Sequence, residues 1–382
     1  MKNITNSFSK YQFFLILFIL MSILKTPYIA IISEYFNLVS TPIAYWVRIS
    51  IIILGILIIF YKKKFFIHKI YLCIITIFLL LFFVILSQLV ADTSLNLPKD
   101  NIYYLGFAFS IIAFVSVTFF LFKDIDDISN SLFYLLCFFS LISLLLGSDE
   151  GHNRLQLASL DPISTGYFGG MLVLISLWRL FFLTNNKIIS FIGFIIGFIL
   201  LIAANSRSPM LGVIIGSMFM LFNKKKNYYF VFFLLLIVFL LIYFIYFESE
   251  IDLRVFVLPD IETDLRIQIY KYYLSEILNN LILPSVPPVF HFSMAHNIFF
   301  GVYSGTSIFG LLIFLYLVYF TLVASYKLIR YNTAYGWVSL LFILSLSKSM
   351  VSGAILSESF WIFLSLVNIY YFKINQRNKK NA

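Results

Sequence analysis

The chain has 382 residues, of which 62% are hydrophobic and only 12% are charged. No soluble globular domain of this size has such a composition, which excludes a soluble enzyme or a soluble binding module. The formal net charge of +10 does not indicate a nucleic-acid-binding protein, because the basic residues fall in short segments between long apolar runs. The composition predicts an integral membrane protein.

Apolar runs of about 20 residues, the length that crosses a bilayer as a helix, recur along almost the whole chain. They are continuously apolar rather than alternating, which favours helices over a transmembrane barrel. We therefore predict an all-α, polytopic integral membrane protein that forms a single transmembrane domain over residues 1–382. The twelve predicted spans are 12–32, 43–60, 70–90, 102–122, 129–147, 163–182, 188–204, 209–222, 228–247, 297–326, 334–351 and 355–372.

The basic residues distinguish the two sides of the membrane. Twelve spans put both termini on one side, and most of the 27 Lys and Arg residues lie in loops or span ends on that side. The positive-inside rule makes that side cytoplasmic. An anion bound at the outer face would explain the basic residues that lie on the outer side or in the outer halves of spans. These are Lys25, Arg48, Lys99, Arg154, Arg207, Arg254, Arg266, Lys271 and Lys348.

Two patterns that can indicate metal binding are weak here. The sequence Asp124-Ile-Asp126-Asp127 resembles the D-x-D element that holds a divalent ion in many sugar-nucleotide enzymes. It falls in a short cytoplasmic turn, away from the other polar features, which favours a solvated loop. Cys73 and Cys137 lie in apolar runs without ligand spacing, so we predict no metal, no disulfide and no cofactor.

On the outer side, the loop that contains Arg154 precedes Asp161 and Pro162, which are typical of a helix start. The sequence Asn205-Ser-Arg-Ser-Pro209 then separates two apolar runs, with Ser208 as the predicted N-cap and Pro209 as the first helical residue. Arg207 beside free backbone N–H groups would suit phosphate. The alternative is an arginine that reaches lipid headgroups.

Residues 248–295 form the main outer loop. Within it, Leu265, Ile269, Tyr272, Tyr273 and Ile277 follow helical spacing, which predicts an amphipathic helix on the outer membrane surface. Arg266 and Tyr270 share one face of that helix, where the arginine would bind either a substrate phosphate or lipid phosphates.

A histidine stands at the boundary between this loop and the next span. Ser293 is the predicted N-cap, which would put His296 in the first turn, where the helix dipole keeps an imidazole neutral and able to accept a proton. The alternative is an interfacial histidine that caps an ordinary packed helix. Glu358, near the outer end of the last span, is expected to pair with one of the arginines.

Together, Asn205-Ser-Arg-Ser-Pro209, Arg266 with Tyr270, and Ala295-His-Asn followed by spaced glycines and Gly310-Leu give a specific pattern. In the order of these motifs the chain resembles the O-antigen polymerase and O-antigen ligase superfamily, over about its second half. It departs from the family at 284–288, which read Pro-Ser-Val-Pro-Pro where the family often has G-x-G, and this puts the path of the loop near the site in question.

The resemblance implies a membrane glycosyltransferase-C-like architecture in the bacterial inner membrane, with an active site on the periplasmic side. The implied activity is the inverting, metal-independent polymerisation of undecaprenyl-pyrophosphate-linked repeat units into O-antigen or capsular polysaccharide. Its implied partners are the lipid-linked donor and acceptor, membrane lipid and a chain-length regulator protein, with no nucleic acid. The implied residues are His296, Arg266 and Arg207 for catalysis, and Arg154, Tyr270 and Asn297 for substrate binding.

Two alternatives stay open at this point. An O-antigen ligase would transfer the glycan to lipid A-core, but the 248–295 loop is modest for that larger acceptor, which favours a polymerase. A repeat-unit flippase would also have twelve spans and basic residues near a lipid pyrophosphate. Transporters tend to have related halves and charges near the bilayer midplane, whereas the polar residues here collect at one face and no internal repeat is detectable.

Overall fold

In the computed structural model the described residues are 10–35, 40–61, 111, 114–115, 128–149, 155–156, 161–183, 186–222, 265–279, 297–331, 334–351 and 358–381. These ranges contain ten helices, further helical residues at 111 and 114–115, and one short antiparallel pairing. The helices are α1 (Lys10–Tyr35), α2 (Ser40–Tyr61), α3 (Ser129–Leu146), α4 (Pro162–Phe182), α5 (Lys187–Ala203), α6 (Arg207–Met220), α7 (Leu265–Asn279), α8 (Ile298–Tyr331), α9 (Gly336–Val351) and α10 (Glu358–Asn381). The pairing joins β1 (Ser148–Asp149) to β2 (Leu155–Gln156).

The all-α prediction is confirmed for the described part of the chain. Three helical segments there are long and apolar enough to cross a membrane: Ser129–Leu146, Pro162–Phe182 and Ile308–Tyr331. Shorter apolar segments lie in α1, α2, α5, α6 and α9, each within a predicted span or overlapping one. The predicted spans 70–90 and 228–247, and most of 102–122, lie outside the described residues. The total of twelve spans and the single domain stay predictions.

Helix α4 is the centre of the packing. Of its apolar segment 89% is buried, against 39% for each of the other two long segments, because α3, α5, α6 and α9 all pack around it. It begins as predicted: Pro162 is the first helical residue, and the Asp161 carboxylate accepts a hydrogen bond from the Ser164 backbone N–H at 2.6 Å. Proline fits there because the first N–H groups of a helix have no intrahelical partner.

Helices α4 and α5 approach each other closely enough for their backbones to touch. A Cβ atom added to Gly169 would lie 2.9 Å from the carbonyl oxygen of Gly197, and one added to Gly197 would lie 2.9 Å from the carbonyl oxygen of Gly169. Only the missing side chains allow the two backbones to touch, as small residues do between membrane helices.

Contacts between helix ends define two ends of the bundle. At the upper end, the first turns of α4, α6, α8 and α10 meet the last turns of α5 and α9, as in the contacts of Gly166 with Ala204 and Pro209. At the lower end, α4 finishes beside the start of α9, where the Trp178 ring fills the space at Gly336. Which end faces which side of the membrane stays a prediction.

Candidate functional site

The turn between α5 and α6 brings Arg207 to the upper end. Asn205 adopts φ 43° there, a left-handed conformation that asparagine tolerates better than most residues. Helix α6 begins at Arg207 with Ser206 at the N-cap position, so the predicted cap at Ser208 was wrong by two residues. Pro209 is the third helical residue, which is allowed because no N–H in the first turn needs an intrahelical acceptor.

Polar groups surround the start of α6. The Arg207 side chain is partly exposed, and it stands in the first turn, where backbone N–H groups and the helix dipole favour an anion. The buried hydroxyls of Ser208 and Thr165 have no hydrogen-bond partner among the described residues. The same holds for helix serines elsewhere in the bundle, such as Ser217, so the hydroxyls support an anion site only together with Arg207.

The start of α8 also differs from the prediction. The Asn297 side-chain oxygen accepts a hydrogen bond from the Phe299 backbone N–H at 2.9 Å, and the helix begins at Ile298. Asn297 is therefore the cap, and the prediction of Ser293 as cap, with His296 in the first turn, was wrong. Asparagine caps as well as serine does, and it lies next to the apolar run. His296 directly precedes the cap and lies outside the described residues, as does Ser293.

The carbonyl oxygen of Met350, near the end of α9, brings two predicted site residues together. It accepts a hydrogen bond from Asn297 Nδ2 at 3.0 Å and another from the Tyr270 hydroxyl at 3.4 Å. These donors belong to α7 and to the cap of α8, which are separated in sequence by residues 280–296. The end of α9 is therefore the point at which the helix of the main loop and the segment after His296 meet.

Helix α7 is confirmed as a helix, and part of its apolar face packs on protein. The Tyr273 ring stacks on Phe300 of α8, with ring centroids 5.3 Å apart and planes 9° apart, and Tyr270 approaches the same ring. Ile269 is buried in this small cluster. The backbone of Arg266 lies in the first turn of α7, and its side chain lies outside the description.

Helix α6 reaches the same end of α9. A Cβ atom on Gly212 would lie 3.3 Å from Ser347 Cβ, so the segment 345–350 of α9 contacts α6 as well as α7 and α8. Arg207, Tyr270 and Asn297 thus gather at the upper end from three parts of the chain. Arg154 lies outside the described residues, directly before β2, where Leu155 packs against Gly147 of the preceding segment.

An ion pair lies buried at the upper end. Glu358, the first residue of α10, pairs with Lys25 of α1, and these residues are 7% and 5% exposed. The partner seen here is a lysine, whereas the sequence analysis expected an arginine; Arg48 of α2 is buried as well and acts electrostatically on Lys25, and pairing of Glu358 with an arginine stays a prediction. Sequence spacing cannot reveal which outer cation meets Glu358, because the packing of α1 against α10 decides it.

The upper end also contains a cluster of polar side chains that the sequence did not predict. The Tyr167 hydroxyl of α4 is 2.5 Å from Ser345 Oγ of α9 and also bonds with the Ser359 hydroxyl of α10. The ammonium of Lys348 lies 4.6 Å from the centroid of the Tyr167 ring. Lys348 was noticed in the sequence as an outer cation, but Tyr167 and Ser345 gave no signal in an apolar chain that contains 25 tyrosines.

The sequence-based roles of His296, Arg266, Arg207, Arg154, Tyr270 and Asn297 stay predictions. The chain matches no protein-family model, no curated protein and no solved structure.

Proposed function

We propose that this protein is a membrane glycosyltransferase of the O-antigen polymerase type. It joins undecaprenyl-pyrophosphate-linked repeat units at the periplasmic face of the bacterial inner membrane, and both of its termini are cytoplasmic. One observation supports this above the rest: Tyr270 and Asn297, from two sequence motifs, both donate to the Met350 carbonyl of α9, and α6, which begins at Arg207 of a third motif, packs on the same part of α9 through Gly212. The motif order in the sequence adds to it.

The chemistry needs a base, an anion site and little else. A hydroxyl of the acceptor sugar attacks the anomeric carbon of the lipid-linked glycan, and its proton passes to His296. A new carbon–oxygen bond forms as the bond to the diphosphate breaks, and undecaprenyl pyrophosphate leaves with the negative charge. Arg207 and Arg266 stabilise that charge, most strongly in the transition state. Arg154, Tyr270 and Asn297 bind and orient the two substrates.

Deletion of the gene, followed by gel analysis of the surface glycan, tests this proposal against a ligase. A polymerase deletion leaves a single repeat unit on the lipid core, whereas a ligase deletion leaves undecaprenyl-linked polymer and bare core. An unchanged length distribution of the glycan would contradict both activities. Labelling of single cysteines from outside tests the orientation: position 260 should react and position 224 should not.

A flippase is the second candidate, and one observation favours it. Lys25, Arg48 and Glu358 are charged groups buried among membrane helices, and such groups often mark transport pathways. Purified protein in vesicles separates the two functions. A polymerase elongates defined repeat units when substrate is present on the correct face, whereas a flippase moves single repeat units across the bilayer and leaves their length unchanged.

A further inference from the structure

We infer that Lys348 is a further substrate-binding cation of this site, and that it binds the diphosphate group of the polyprenyl-linked substrate. The inference rests on the proposed function and adds a residue that no sequence motif assigned. Lys348 lies in the last turn of α9. Helix α6, helix α7 and the cap of α8 all contact this part of α9.

The neighbours of Lys348 along α9 fix its place. One residue before it, Ser347 packs against Gly212 of α6, the helix that begins with Arg207. Two residues after it, the Met350 carbonyl accepts the two hydrogen bonds from α7 and the α8 cap. Lys348 is therefore flanked in sequence by the contacts of every described segment that contributes a predicted site residue.

The Lys348 ammonium is held in position by its neighbours. The aromatic ring beneath it, at 4.6 Å, belongs to Tyr167, which is only 2% exposed. A buried ring face attracts a cation electrostatically, and the Asp161 carboxylate at the start of α4 also acts on this charge. The lysine side chain itself is partly exposed, so an anion can reach it.

Hydrogen bonds fix Tyr167 in turn. Ser345 Oγ donates its only proton to the Leu341 carbonyl at 2.8 Å, so the Tyr167 hydroxyl must donate to Ser345 Oγ. The phenolic oxygen is then left to accept from Ser359 of α10. The ring is thereby fixed between α9 and α10, and Tyr167 is a positioning residue for Lys348.

A role in anion binding is compatible with the place of Lys348 in its helix. A lysine in the last turn of a helix interacts favourably with the carbonyl end of the dipole, and the same ammonium can bind a phosphate oxygen. A diphosphate has enough oxygen atoms to bind more than one cation. The planar guanidinium of Arg207 can bind two oxygens at once, whereas the ammonium of Lys348 is a compact point charge. The two side chains would hold the leaving group from two different helices.

The test measures binding of undecaprenyl pyrophosphate to the purified full-length protein in phosphatidylcholine nanodiscs. We expect Lys348→Gln to raise the Kd about tenfold, equivalent to about 1.4 kcal/mol, and Lys348→Arg to stay within about threefold of wild type because it keeps the charge. Tyr167→Leu removes the ring and should resemble Lys348→Gln, whereas Tyr167→Phe keeps the ring but loses the hydrogen bonds that fix it, so its Kd should lie between those of wild type and Tyr167→Leu. Lys327→Gln is the matched control, a lysine on a tyrosine ring at the lower end, and should not change the Kd.

Two results would overturn the inference: an unchanged Kd for folded Lys348→Gln, or a Lys348 effect that appears only when phosphatidylglycerol is added, which would assign the lysine to bulk headgroups. Failure of inorganic pyrophosphate to compete would count against diphosphate recognition. If Lys348→Gln does not fold, the Kd values of Tyr167→Leu and Tyr167→Phe are compared instead. A Kd for folded Tyr167→Leu equal to that of Tyr167→Phe would then overturn the inference.

The inference and the proposed function fail separately. If the wild-type protein makes polymer and Lys348→Gln binds the lipid normally, the inference fails and the proposed function stands. If the wild-type protein binds the lipid through Lys348 but makes no polymer, the inference stands and the proposed function fails.

Discussion

A lysine lies on a tyrosine ring at each end of the bundle, and the two pairs differ in how far they are exposed. At the lower end, the exposed Lys327 reaches Tyr371, with its ammonium 3.0 Å from the hydroxyl and 5.4 Å from the ring centroid. At the upper end, Lys348 lies 4.6 Å from the ring centroid of Tyr167, a nearly inaccessible residue. Lys327 is exposed, whereas Lys348 is only partly exposed and lies on a buried ring.

Two further charged residues show a similar contrast, although Arg179 and Lys373 are buried at the lower end as well. Arg330 at the lower end bonds with the hydroxyl of Tyr326 one turn earlier on its own helix, as expected of a long side chain at a membrane boundary. Lys25 at the upper end is paired with Glu358 across two helices. Buried charge is costly and needs a specific reason at either end. Arg179 at the lower end has Asn130 and Ser190 as partners, whereas the upper end is the one where the sequence-predicted Arg207, Tyr270 and Asn297 lie.

The largest expected effect at the upper end concerns His296. His296→Ala should lower the rate of polymer formation by at least about a hundredfold, because a general base contributes about 10²–10⁴. Polymer formed from defined undecaprenyl-linked repeat units by purified protein is the measurement. His291→Ala, five residues earlier, is the control. Near-normal polymer from His296→Ala at normal protein level would leave the histidine a structural role only.

Loss of the buried carboxylate comes next. Glu358→Gln removes the partner of a buried lysine and should lower the free energy of unfolding by about 3 kcal/mol, since a buried charge without its counter-ion is strongly destabilising. Reversible unfolding in detergent measures this. The double variant Lys25→Met with Glu358→Gln removes both charges and should recover most of the loss. If the double variant is no more stable than Glu358→Gln, the ion pair does not act as a unit.

A smaller change in polymerisation rate should distinguish Arg207 at the upper end from Arg179 at the lower end. Arg207→Lys should slow polymer formation by about tenfold, or about 1.4 kcal/mol, because a lysine cannot make the bidentate contacts of a guanidinium. Arg179 at the lower end donates to Asn130 and to Ser190, the latter at 3.2 Å. Arg179→Lys should therefore affect stability and leave the polymerisation rate unchanged. Equal rates for wild type and Arg207→Lys would assign Arg207 to lipid headgroups.

The smallest effect is expected at the exposed lower-end lysine. Lys327→Gln should change the free energy of unfolding by no more than about 0.5 kcal/mol, as surface substitutions usually do, and should leave product formation unchanged. Thermal unfolding in detergent together with the polymerisation assay checks both. A large loss of activity from Lys327→Gln would remove the distinction between the two ends.

The sequence predicted the helices well because their signal is local. Apolar runs placed α3, α4, α5 and α9 to within a few residues, and the Asp161-Pro162 start of α4 follows from the chemistry of one helical turn. The capping residues of α6 and α8 were misassigned because several polar residues stood next to each other, and each was able to cap. The turn at Asn205 and the short distance from Asn297 to the apolar run decided between them.

The arrangement of the site was less accessible to sequence reasoning. Arg207, Tyr270 and Asn297 were found through their motifs, but the residue that brings two of them together contributes only a backbone carbonyl, and any residue at position 350 would supply one. Likewise, the partner of Glu358 depends on which helix packs beside α10. Tertiary packing determines such contacts, and the periodicity of the sequence does not predict how helices pack.

The touching backbones of Gly169 and Gly197 also bear on how the chain is assembled. Helices α4 and α5 are consecutive, and only residues 183–186 separate them, so their contact closes a very short loop and needs no other part of the protein. This hairpin can therefore form as soon as Ala203 has entered the bilayer, before α6 to α10 have been synthesised. Helices that arrive later dock on a surface that already exists, and a bulky residue at either glycine would act at this early step of biogenesis.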